Sequence, residues 1–152
     1  MENSSKMRSF LMAFSAIVVI KTAYLIVQGA IAMHQFEYSF LEILLELHGW
    51  VAYLFSDLLV VCLYIMSFFA AYKYKGNAIW LTKFAIWITL TFFVLGVVQF
   101  LASHFHYGEF NSEVMTNFAK NLLLYNWHAL VGVGFLVYLN QQPNITLEKK
   151  AA

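Results

Sequence analysis

Residues 17–27 read IVVIKTAYLIV, a lysine in the middle of an apolar run. A soluble amphipathic helix would set its lysine on a polar face. Here the residues around Lys21 are apolar or small in every helical direction. The run extends from about Phe10 to Met33, longer than the ~20 residues a helix needs to cross hydrocarbon about 30 Å thick. It reads as a membrane span with a cation inside it.

Three further stretches have the same character: about Leu47 to Tyr72, Ile79 to Ser103 and Leu122 to Leu139. Composition agrees. Hydrophobic residues make up 62% of the 152 and charged residues 11%, where soluble domains carry roughly 45–50% and about 25%. The expected fold is all-α: a polytopic membrane protein, one four-helix up-down bundle over residues 1–152. Cys62 has no second cysteine to pair with, so neither a disulfide nor a cysteine metal site is available. A formal net charge of +1 lacks the concentrated basic face that nucleic acid requires. The expected partners are the lipid bilayer and other membrane subunits or further copies of the chain. No phosphate-binding glycine loop and no Gly-x-Ser-x-Gly elbow is present, which sets aside several enzyme classes.

Local signals place the helix ends. Ser39-Phe40-Leu41-Glu42 has the form of a capping box, so helix two is expected to start near Ser39, ahead of the lipid. Asn111 and Ser112 are candidate caps for helix four. Tyr74-Lys75-Gly76-Asn77 reads as the turn between helices two and three, and the tail after Asn140, with Pro143, as frayed. Lys6, Arg8, Lys73, Lys75, Lys83, Lys149 and Lys150 fall on one side of the membrane, with Lys120 opposite. Basic residues stay in the cytoplasm, so both termini are expected there. Lack of an obvious eukaryotic sorting signal favours a bacterial inner membrane. A competing reading makes the first span a signal peptide ending at Ala30-Ile31-Ala32. The resumption of apolar sequence after Lys21 argues against it.

At 1.5 Å per residue, Lys21 lies roughly 16 Å from the cytoplasmic end of its span, near the midplane. A charge there costs at least about 2.5–3.5 kcal/mol on insertion scales. Asp57 is the only acidic residue inside any expected span. Helix two runs the other way, so Asp57 falls at the same depth. A buried Lys21–Asp57 pair is the expectation, with Ser56, Thr22 or Gln28 filling spare hydrogen-bond sites. Such a pair serves as a register device between helices, or as a proton relay or polar handle for a ligand.

The five histidines, His34, His48, His104, His106 and His128, all fall toward the outer face if the helices alternate. Helices two and four run parallel in that arrangement. His48 and His128 are then candidate axial ligands for haem b, with Gly132 leaving room for a macrocycle. In outline this resembles the four-helix frame of small transmembrane b-type cytochromes, without a motif that specifies the family. His104, His106, Glu109 and Glu113 form a second candidate set, for Zn, Fe or Cu. Because His104 and His106 are two apart, both serve one ion only if the helix has ended before them. On helix three, Thr82, Ala85, Thr89, Gly96, Gln99, Ser103 and His106 form a small and polar stripe, expected to pack inward near Lys21 and Asp57. Trp50, Asp57 and Tyr64 recur every seven residues on helix two, expected to turn an aromatic-rimmed face inward.

Two functional classes fit these features. One is a redox subunit with haem or metal near the outer face, exchanging electrons with quinone. The other is a non-catalytic accessory or assembly subunit, or a small proton-coupled transporter.

Overall fold

The computed structural model describes residues 2–35, 48–73, 76–107 and 111–141. Among them every regular element is a helix: α1 (Glu2–Gln35), α2 (His48–Tyr72), α3 (Ala78–Tyr107) and α4 (Ser112–Asn140). Three carry segments long and apolar enough to cross a membrane: Ser5–Gly29, Phe55–Tyr72 and Ala78–Ala102. In α4 the described apolar segment is shorter, Trp127–Asn140. The helix α1 begins at Glu2, ahead of the apolar boundary at Phe10. Its polar first turns contain no helix breaker, and an acidic residue is favourable at a helix N-terminus. The capping box at Ser39 and Glu42, the turn residues Tyr74 and Lys75, and the tail from Gln142 on lie outside the described residues.

The chain forms two compact units, divided within α3 between Ala85 and Ile86. In the first unit α1 and α2 pack along their length. Arg8 reaches Ala71, the rings of Phe14 and Tyr64 meet edge to face at 5.8 Å, and Lys21 interacts electrostatically with Asp57. In the first two pairs the residue numbers add to 79 and 78, the signature of antiparallel helices in constant register, and that register sets Lys21 opposite Asp57. The buried side of α1 is Met7, Leu11, Phe14, Ser15, Val18 and Thr22, at helical spacing. From α2 come Val60, Tyr64, Ser67, Ala70 and Ala71, and from the start of α3 Ala78, Thr82 and Ala85. Small residues let backbones approach closely where no water drives the helices together. A hydrogen bond of 2.6 Å between Ser67 Oγ and Thr82 Oγ1 ties α2 to α3. The Thr82 hydroxyl donates in turn to the Ala78 carbonyl at 2.9 Å. With that proton committed, Ser67 is the donor to Thr82.

In the second unit, Phe100 of α3 stacks on Phe118 of α4 at 4.1 Å and 13°. Asn111 caps α4: its side-chain oxygen accepts from the Val114 N–H at 2.9 Å.

Among the described residues the outward faces of α1, α2 and α3 are dominated by large apolar side chains. Phe10, Ile17, Ile20, Tyr24, Val27 and Ile31 form one exposed stripe on α1. Phe55, Leu58, Leu59, Ile65, Met66, Phe69 and Tyr72 form another on α2, and Trp80, Phe84, Trp87, Val94, Leu95 and Val98 a third on α3. Soluble monomers rarely expose contiguous apolar patches beyond a few hundred Å². Stripes running the length of three helices are a surface for hydrocarbon, and the chain is an integral membrane protein.

Candidate functional site

The first unit holds two opposite charges inside its spans. Lys21 lies in the apolar stretch Ser5–Gly29 and Asp57 in Phe55–Tyr72. Both are half-buried, and each feels the other's charge. Continuous helical sequence holds them rigidly, and the constant antiparallel register sets them level. In low-dielectric surroundings such an attraction is far stronger than in water. It offsets part of the cost of burying either charge, the loss of solvation being the larger effect at both groups.

The groups expected to complete the pair behave differently. Thr22 is 2% exposed, yet its hydroxyl makes no hydrogen bond. Gln28 is exposed. Ser56 adjoins Asp57 and is half-buried. One heptad before Thr22, Ser15 is fully buried and its hydroxyl also has no partner.

Arg8, expected from its position only to mark the cytoplasmic side, caps the end of α2. Its Nε donates to the Ala71 carbonyl at 3.1 Å and its Nη2 to the Tyr72 carbonyl at 3.3 Å, with the guanidinium 5.9 Å from the Tyr72 ring centre. The last carbonyls of a helix lack intrahelical donors and carry partial negative charge. Arg8 satisfies two of them from a neighbouring helix. The available signal was a basic residue level with the end of an antiparallel helix; the choice of Arg8 over Lys6 depended on register.

The small-residue stripe on α3 is inward only in part. Thr82, Ala85 and Thr89 are buried. Gly96 faces open space, since a Cβ built there meets nothing within 4 Å, and Gln99 is exposed. Within the first unit the stripe meets α2 at Ser67, ten residues and about 15 Å along the helix from Asp57. At that contact the alanines and hydroxyls of α2 allow close approach.

His128 is 7% exposed on α4, its ring edge-on to Trp127 at 6.3 Å, with Ala129 and Gly132 also buried. On α2, Tyr64 is buried; the side chain of Trp50 lies outside the described residues. So do the side chains of His34, His48, His104 and His106, and all of Glu109. Glu113 is exposed in the first turn of α4. The helix α3 is continuous through Tyr107, so positions 104 and 106 stand two apart on regular helix. Among the described residues no three histidine, cysteine or acidic side chains come together.

Comparison with protein-family models, curated proteins and solved structures gives no match. The class is defined by the fold and the charges: an α-helical integral membrane protein with interacting opposite charges within its spans.

Proposed function

We propose that the chain is a four-span protein of a bacterial inner membrane with both termini cytoplasmic, and that Lys21–Asp57 is the proton-exchange site of a small proton-coupled transporter. The observation that carries this reading is the pair itself, two opposite charges level with each other inside apolar spans. Moving one proton from the Lys21 ammonium to the Asp57 carboxylate turns an ion pair into a neutral amine and a neutral acid. Where both charges are poorly solvated, the neutral state is favoured more than it is in water. Such a pair can take a proton from one side and release it to the other. Purified protein in vesicles containing a pH-sensitive dye tests this. An imposed potassium diffusion potential is expected to drive proton flux, and Asp57→Asn to abolish it. An accessory subunit that uses the pair only for helix register would leave vesicles as tight as protein-free ones.

A second reading is supported by α4, where His128 and Gly132 are buried one turn apart. In it His48 and His128 hold haem b near the outer face and the protein exchanges electrons with quinone. A reduced-minus-oxidised haem band that disappears in His128→Ala is the expected result. Colourless, iron-free protein excludes it.

A further inference from the structure

The geometry points to a hydrated polar seam between α1 and α2 that connects the Lys21–Asp57 pair to the basic end of the unit, where Lys6, Arg8 and Lys73 lie. The inference rests on the reading of that pair as a proton-exchange site and assigns the side from which protons reach it. Two hydroxyls carry it. Ser15 Oγ and Thr22 Oγ1 are buried and make no hydrogen bond. Within a helix a Ser or Thr hydroxyl commonly donates back to the carbonyl four residues earlier. Thr82, Thr91 and Thr116 all do so, to Ala78, Trp87 and Ser112. Ser15 and Thr22 do not, and they share the α1 face of Leu11, Phe14 and Val18 that packs on α2. A buried polar atom in such a place is ordinarily satisfied by ordered water.

The antiparallel register orders the remaining groups. Thr22 is level with Ser56 and Asp57, and Ser15 with Tyr64, whose ring contacts Phe14. One level further on is Ser67, hydrogen-bonded to Thr82, and beyond it Arg8 on the Ala71 carbonyl. Side chains lean toward the N-terminus of their helix, so the Tyr64 phenol leans toward Asp57. Thr22 and Ser15 are separated by about 10 Å along the axis. The phenol and about two waters at hydrogen-bond spacing bridge that distance. In transfer along the seam each oxygen accepts one proton and gives up its own, so every hydroxyl is regenerated. The net change is one proton lost by water at the basic end and one gained by the Asp57 carboxylate.

Silver-ion accessibility of introduced thiols tests for water at these positions, because the hydrated thiolate is the reactive form. In a Cys62→Ala background, Ser15→Cys is expected to react from the basic side about tenfold faster than Ile17→Cys, which faces lipid. Equal or slower reaction, or faster reaction from the opposite side, overturns the seam. In the vesicle flux assay Ser15→Ala and Thr22→Val are expected to lower proton flux by about tenfold. Ser15→Thr and Thr22→Ser, which keep a hydroxyl, are expected to retain it. Wild-type protein without flux but with selective silver reaction at Ser15→Cys preserves the seam and removes the proton-exchange reading. Flux without selective reaction removes the seam alone.

Discussion

Lys21, set among isoleucines and valines, is partly compensated by the charge of Asp57 on the neighbouring helix. Removing one partner leaves a charge in a poor solvent. Asp57→Asn is therefore expected to destabilise the protein by about 3 kcal/mol, seen as a lower melting temperature in detergent. Lys21→Met combined with Asp57→Leu should recover most of that loss. An unchanged melting temperature in Asp57→Asn would show that the charges do not support each other. Arg8 makes a smaller contribution. Arg8→Gln removes a cation from the carbonyl end of α2 and should cost about 1 kcal/mol, with Arg8→Lys intermediate because an ammonium lacks the two-pronged fork. Equal melting temperatures for all three proteins would rule out the cap. The sequence suggested pairing Lys21 with Asp57, since one acidic residue alone lay inside the expected spans, and the two residues do feel each other's charge. The Arg8 cap was not, because it depends on which turn of α1 meets the last turn of α2.

At the scale of elements, the joint between α2 and α3 is a hydroxyl pair among alanines. Ser67→Ala and Thr82→Ala are each expected to cost about 1 kcal/mol. The double variant should cost less than their sum, because the second change removes a group already deprived of its partner. Additive losses would mean that the two side chains act independently. Asn111→Ala should weaken the first turn of α4 by about 1 kcal/mol, while Asn111→Asp should retain the cap; circular dichroism during thermal unfolding reads both. The cap was evident beforehand, because a short polar side chain before an apolar periodic run has one common use. The stripe on α3 was half legible. Thr82, Ala85 and Thr89 are buried, whereas Gly96 and Gln99 are not. Small residues permit close contact without saying where a neighbour comes close.

For the whole molecule, the decisive property is that long rows of large apolar side chains face outward. Trp80 is 62% exposed and Ile20 70%, while Ser15 and Ser67 are fully buried. That distribution is stable only with hydrocarbon outside. Val94→Arg, on the exposed face of α3, is expected to cost about 2.5–3.5 kcal/mol of insertion and to lower the membrane-integrated fraction on translation into microsomes. Undiminished integration would contradict a lipid-facing α3. The amino-acid order by itself determined that the protein is helical and membrane-embedded, since length and apolar content of a segment are local quantities that any bilayer reads the same way. It also put a cation and an anion within two of the apolar stretches. Only the tertiary structure decided which turns of neighbouring helices meet, and with them the Arg8 cap, the Ser67–Thr82 joint and the two unpartnered hydroxyls. Those depend on rotation and register between helices, which side-chain packing sets and no single segment encodes.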